Sequence, residues 1–329
     1  MKFYVEILGT LPEMAVAEVN ALAELGKGTV LDKDYLLVSG EIENMKIFER
    51  LGMAHEFGIL LFSSENPDEI IDYVKSFPWK NVINGTFAVR RERMKNCTHE
   101  IEGLDKLIGG IIHSQGLKVN LSRPDVVVRV YCGENLWLGI RIREFKGKEF
   151  ENRKADRRPF SRPIALPPRI ARAMVNLTRA TRELLDPFMG TGGMLIEAGL
   201  MGLRVYGLDI REDMVEGAKL NLEYYGVKDY TVKVGDATRI KEAFPGKTFE
   251  AIATDPPYGS STTLPMKRDE LYRRALESMY EVLDGYLAIA FPADFDAVSV
   301  AENIGFKVIE EFYQRVHSSL ERYFYVMRI

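Results

Sequence analysis

After residue 168 the chain alternates strand with helix, and few architectures can accommodate that pattern. Apolar runs mark strands at 183–186, 203–209, 230–235, 249–254 and 286–291. Helical spacing marks 169–180, 191–201, 211–225 and 269–283. Two more strands are expected near 306–315 and 322–329. Such alternation implies a mostly parallel sheet with helices on both faces and ligands bound beyond the carboxyl ends of its strands. The whole chain has 329 residues, room for two domains at roughly 150 residues each. Its 46% apolar and 28% charged residues exclude a mostly disordered protein.

The first half reads differently. Residues 3–8 and 35–42 suggest strands, and 12–25 and 43–51 helices, which makes a small α+β unit. Strand 86–93 has a basic end, and helix 102–115 carries Leu104, Leu107, Ile108, Ile111 and Ile112 on one face. Val119 and Leu121 alternate with polar neighbours, and strands 126–131 and 136–142 flank the turn Cys132–Asn135. Trp79 and Trp137 are expected in the core or between domains. Residues 143–168 are charged and then proline-rich (Pro159, Pro163, Pro167, Pro168), which marks a linker.

Two cysteines, Cys97 and Cys132, exclude a disulfide-dense scaffold. Four scattered histidines (55, 99, 113, 317) leave the Cys97/His99 pair without a second pair, so no metal is expected. The start has no apolar stretch of signal-peptide length and no window of ~18 apolar residues exists, so the expected compartment is the cytosol, with no membrane partner. Glutamine is confined to Gln115 and Gln314 while Lys, Arg and Glu abound, a balance that leans thermophilic.

Net charge is −4, yet residues 141–172 hold eleven basic residues against four acidic ones, a local +7 that leaves −11 elsewhere. Coulomb attraction acts within a Debye length of ~8–10 Å, so such a patch can grip a polyanion even on an acidic chain. Arg153, Lys154, Arg157, Arg158 and Arg162 are its candidate phosphate contacts. Arg90, Arg91, Arg93 and Lys95 are a second set, balanced against a solvated strand end.

The chemistry gathers at successive strand ends. Asp186-Pro-Phe-Met-Gly-Thr-Gly-Gly193 joins a strand to a helix, and Gly190, Gly192 and Gly193 allow a tight turn and close approach to a ligand. It is neither a dinucleotide fingerprint nor a P-loop. Asp186 could face an ammonium while the helix start receives a carboxylate, which suits an amino-acid moiety. Phe188 and Met189 are expected to pack beneath the loop. Asp209 ends the next strand, suited to ribose hydroxyls or to capping helix 211–225. Gly235-Asp236-Ala237 follows, where Asp236 could accept from an adenine amine or shape a turn. Asp255-Pro-Pro-Tyr258 is the sharpest signal. Two prolines stiffen the backbone before substrate arrives. The Asp255 carboxylate and the Pro256 carbonyl can accept both hydrogens of one planar amine, and Asp255 can then take a proton. Tyr258 offers a stacking face for a flipped base.

Taken together these motifs resemble class I S-adenosylmethionine-dependent methyltransferases of the amino-methylating kind. The resemblance covers residues 167–329 and implies a Rossmann-like, doubly wound α/β sheet. It implies catalysis by Asp255, Pro256, Pro257 and Tyr258. It also implies S-adenosylmethionine binding by Asp186, Phe188, Gly190, Thr191, Gly192, Asp209, Ile210, Asp236, Ala237 and Asp255. TFAVRRERMKN (86–96) and KVNLSRPDVVVRVY (118–131) resemble a THUMP RNA-binding domain, expected over 56–145 after a ferredoxin-like unit over 1–55, with 146–166 as linker. With RPFSRPIALPPRIARAMVNL (158–177), the chain as a whole resembles the archaeal tRNA (guanine(10)-N2)-dimethyltransferase family. That resemblance implies one and then a second methyl transfer to the guanine N2 amine of tRNA; a monomer is expected. Amino-methylation at another RNA position or of DNA adenine, and a non-catalytic RNA-binding relic, are the alternatives.

Overall fold

A computed structural model describes residues 1–162, 165–259, 266–317 and 320–329. Pro163, one of the boundary prolines, lies outside the described residues. Contacts divide the chain into two compact units. Met1–Pro12, Ala23–Glu49 and Ala54–Phe145 form the first; Glu13–Leu22, Arg50–Met53 and Lys146–Ile329 form the second.

The first unit's strands are β1 (Lys2–Ile7), β2 (Thr29–Asp34), β3 (Leu37–Glu41), β4 (Ala54–Ser64), β5 (Thr86–Arg93), β6 (Lys118–Val119), β7 (Val126–Cys132) and β8 (Leu136–Glu144). They make one sheet in the order β2-β3-β1-β4-β8-β7-β5-β6. Helices α1 (Pro12–Leu25), most of which belongs to the second unit, α2 (Pro67–Ser76) and α3 (Leu104–Ser114) interrupt them along the chain. α2 and α3 bury Ile70, Val74, Ile108 and Ile112 with Trp79, Phe87, Val128 and Leu138 in an apolar core. Trp137 is equally buried, beside Tyr4 and Tyr131.

Several features of this unit depart from the sequence reading. The boundary expected at 55/56 falls inside β4, a strand absent from that reading. Its front half is masked by Glu56, a buried carboxylate that accepts from the hydroxyls of Tyr4 (2.8 Å) and Tyr131 (2.7 Å) and pairs with Arg129 (3.0 Å). Residues 43–51 hold a 3-10 turn (Met45–Arg50), not an α-helix. Only two residues near Val119 pair as a strand, and Leu121 lies beyond them, exposed. Cys97 and Cys132 form a disulfide across 35 residues.

In the second unit, α4 (Gly147–Glu151) and α5 (Pro168–Leu177) precede the alternating part. β9 (Glu183–Asp186), α6 (Gly193–Leu200), β10 (Arg204–Asp209), α7 (Glu212–Tyr224), β11 (Tyr230–Val234), α8 (Ile240–Ala243) and β12 (Phe249–Thr254) follow. Then come α9 (Arg268–Tyr280), β13 (Leu283–Pro292), α10 (Ala297–Ile304), β14 (Lys307–His317) and β15 (Leu320–Arg328). The sheet order is β11-β10-β9-β12-β13-β15-β14, parallel except for β15. This is the doubly wound sheet expected from the alternation. α5, α6 and α7 line one face, and α9 and α10 bury Tyr272, Leu276, Met279 and Ala301 against the other. The apolar β12 and the body of β13 suit strands covered on both sides. Strand order reverses between β9 and β12, the place where such sheets bind ligands.

The segment expected as a linker is folded. Phe150 is buried in α4 beneath three guanidinium groups, those of Arg153, Arg169 and Arg172, at 4.6, 4.2 and 5.3 Å. Among the described residues no helix is long and apolar enough to cross a membrane.

Candidate active site

Four aspartates lie at one edge of the second sheet, because β9, β10, β11 and β12 run parallel and each leads into one of them. Asp186 closes β9 and is buried. Its Oδ1 accepts from the Phe188 amide (3.1 Å) and the Thr254 hydroxyl (2.6 Å). Burial, with help from the charges of Asp255 and Asp209, pushes its carboxyl up to about 7 against those two hydrogen bonds. The Thr254 bond also ties the glycine loop to the end of β12. Gly190 and Gly192 take φ of +50° and +81°, conformations only glycine adopts without strain. A Cβ on Gly190 would meet nothing within 4 Å, so the loop's crest faces open space. Phe188 packs against the core below and Met189 is buried.

Asp209, at the end of β10, does not cap α7, whose first flanking residue is Arg211. Its Oδ2 accepts from the Gly190 amide (3.1 Å) and its Oδ1 from the Arg211 amide (2.9 Å), so it braces two neighbouring loops. Burial raises its carboxyl above the usual range, and those amides oppose the rise. Ile210 beside it is exposed. Asp236 follows β11 and accepts from the Thr238 amide and hydroxyl, both at 2.8 Å. It therefore shapes the turn in which Ala237 is buried.

Asp255 to Tyr258 form the corner after β12. The Tyr258 hydroxyl donates to Asp255 Oδ1 at 2.7 Å. The Tyr272 hydroxyl of α9 donates to the Pro257 carbonyl at 2.9 Å, which pins the proline pair. The Pro256 carbonyl accepts no hydrogen bond among the described residues. Burial raises the Asp255 carboxyl, with the Arg322 charge and the Tyr258 hydroxyl acting against it. Tyr258 is likewise raised by burial. Sequence reasoning missed Arg322, which reaches the site from β15, 67 positions after Asp255. Only the strand order brings it near.

The basic residues divide. Arg153 and Arg158 turn inward and are held by partners of the second unit. Arg153 pairs with buried Glu197 at 2.6 Å, and Arg158, 5% exposed, donates to the Thr191 hydroxyl (3.2 Å) and the Arg153 carbonyl (3.0 Å). Arg172 joins the same carboxylate at 2.8 Å. Arg141, Arg143 and Arg162 also have acidic partners, in Glu144, Glu49 and Asp213. Long-range pairing thus cancels much of the local +7. Lys154, Arg157 and Arg162 keep exposed heads, and Lys154 and Arg162 line a cleft of about 320 Å³ with Pro167 and Pro168. In the first unit Arg91 pairs with Asp105 (3.2 Å), Arg93 donates to the His99 carbonyl (3.2 Å), Arg90 donates to the Leu121 carbonyl, and Lys95 is exposed. Among the described residues no cluster of three or more His, Cys, Asp or Glu is disposed to hold a metal.

The chain is similar to known proteins. A family model described as an RMKL-like methyltransferase domain matches residues 155–323, and a THUMP domain model matches 64–140. The tRNA (guanine(10)-N2)-dimethyltransferase of Pyrococcus abyssi is 78% identical over 325 residues, covering 99% of each chain. One of the same name from Methanothermobacter thermautotrophicus is 35% identical, covering 94% of each. Among solved structures, TrmN from Thermus thermophilus superposes with a TM-score of 0.57 at 19% identity, covering 100% of this chain and 99% of its own. That likeness speaks for the fold.

Proposed function

The chain belongs to the tRNA (guanine(10)-N2)-dimethyltransferase family, and from that membership we propose that it methylates the exocyclic N2 amine of guanine 10 in tRNA, once and then again. S-adenosylmethionine is the methyl donor, and when bound it supplies an electrophilic methyl on a sulfonium. The residues present fit it. The space above Gly190 admits a ligand, the Asp209 carboxylate can accept from ribose hydroxyls, and buried Asp186 suits an ammonium. Phe188, Thr191, Gly192, Ile210, Asp236 and Ala237 complete the proposed lining.

One observation carries the reading. Thr254 hydrogen-bonds Asp186, so the rigid 255–258 corner is fastened to the glycine loop. Asp255 Oδ2 and the Pro256 carbonyl accept the two amine hydrogens. This favours the state in which the nitrogen lone pair is free of the ring. On methylation the pair of the donor's S–C bond would stay on sulfur as a neutral thioether, and Asp255 would take the proton that the nitrogen loses. Tyr258 stacks on the base. Charge on the first unit (Arg90, Arg91, Arg93, Lys95) and on the second (Lys154, Arg157, Arg162) holds phosphates. The THUMP match at 64–140 supports a tRNA grip by the first unit. We place the enzyme in the cytoplasm as a monomer that needs no metal.

Incubation of the purified enzyme with S-adenosylmethionine and tRNA, followed by nucleoside mass spectrometry, is expected to yield N2-methyl- and N2,N2-dimethylguanosine. Changing G10 to A should abolish both. Product that survives this change would move the target elsewhere. Asp209→Ala is expected to weaken cofactor binding about 10–100-fold, the worth of hydrogen bonds to a charged group. Calorimetry showing unchanged affinity would remove Asp209 from the cofactor site.

A further inference from the structure

The chain's scarcest polar residue type supplies a part that the methyl-transfer corner lacks on its own. Gln314 is one of only two glutamines, and it stands on β14 directly across from Arg322 of β15. Its Oε1 accepts from both Arg322 Nε (2.9 Å) and Nη2 (2.7 Å). The guanidinium also lies over the Phe324 ring at 4.9 Å. Held on two sides, Arg322 is 6% exposed and opposes Pro292 at the carboxyl end of β13, the edge that bears the site. From there its charge faces the Tyr258 hydroxyl and Asp255.

The chemistry of these groups fixes a direction. A guanidinium has donors and no acceptor. Beside it the Tyr258 hydroxyl has no acceptor in Arg322, and its proton goes to Asp255 Oδ1, where the 2.7 Å bond is found. Oδ1 is thereby used, and Oδ2 is left for the amine. We propose that Arg322, clamped by Gln314, is a positioning residue of the methyl-transfer site: it aims the Tyr258 hydroxyl at Asp255 and keeps that carboxylate an anionic acceptor. A neutral Asp255 would offer a proton to the amine instead of accepting one. Among the described residues the groups facing Asp255 are Asp186 at the end of β9, Tyr258 on its own segment, Tyr272 on α9 and Arg322 on β15. Arg322 is the cation among them.

The inference rests on the reading of 255–258 as the methyl-transfer corner, and one experiment separates the two. Single-turnover methylation of tRNA by the full-length wild type, Arg322→Gln, Arg322→Lys and Gln314→Leu is followed across pH, with cofactor and tRNA affinities measured apart. Arg322→Gln should lose on the order of 10²-fold in rate near neutrality, with both affinities little changed. Its acidic limb should move to higher pH, because the burial that raises Asp255 is then unopposed by a cation. Arg322→Lys should restore the limb's position without the full rate, since an ammonium cannot fork onto Gln314. Gln314→Leu should move both in the same direction by less. A wild-type rate and limb in Arg322→Gln would overturn the inference and leave the function standing. So would a loss equal at every pH and shared with cofactor affinity. If Arg322→Gln does not fold, the Lys and Leu variants decide by the same criteria. A wild type that leaves tRNA unmethylated would instead defeat the function on which the inference rests.

Discussion

Asp255→Ala is expected to slow methyl transfer to tRNA by about 10²–10⁴-fold. In the proposed mechanism the carboxylate has two tasks whose value grows along the reaction. It accepts an amine hydrogen as the nitrogen turns tetrahedral, and it then receives the proton. Neither task is complete in the ground state, so the loss belongs in kcat, and tRNA affinity should hold within about threefold. Asp255→Asn should fall less, because the amide oxygen still accepts a hydrogen bond although the proton has nowhere to go. Burial raises the Asp255 carboxyl, so wild-type rate should climb with pH until the group is ionised. Rapid-quench measurement decides the matter, and a rate for Asp255→Ala within about twofold of wild type would remove the residue from the chemistry.

Glu197→Ala should produce the largest loss of stability. The carboxylate is 1% exposed in α6, and it receives Arg153 through Nε (2.6 Å) and Nη2 (3.1 Å) and Arg172 through Nε (2.8 Å). Deleting it strands two guanidinium groups with little access to water. Removing one partner of a buried pair costs about 3–5 kcal/mol. For a unit of this size that is a fall in Tm of roughly 6–20 °C. Glu197→Gln, which keeps two polar atoms in place, should lose less. Calorimetry showing a shift for Glu197→Ala below about 2 °C would mean that the arginines find other partners.

Much of the second unit can be read from the chain alone because its rules are local. Parallel strands buried on both faces are short apolar runs, and each is followed by a helix with its own periodicity. The four aspartates could be found because each sits just beyond such a run. α10 escaped that reading: Ala297–Ile304 is two turns long and small-residue rich, too short for a periodic signal. Long-range pairing was equally hidden. Arg153 and Arg158 look like surface charge in the sequence, and only the approach of Glu197 and Thr191 turns them inward. Arg322 carries no local signal at all. In the first unit, Glu56 disguised β4, because a carboxylate in an apolar position breaks the alternation that marks a strand.

β15 is threaded between β13 and β14, although it follows both in the chain. β14 and β15 pair as a local hairpin, but β13 gains its outer partner only when that hairpin docks on it, a contact of longer range. Through that interval the inner flank of β13 is a bare template for any passing strand. The same insertion sets Arg322 across from Pro292, at the carboxyl end of β13.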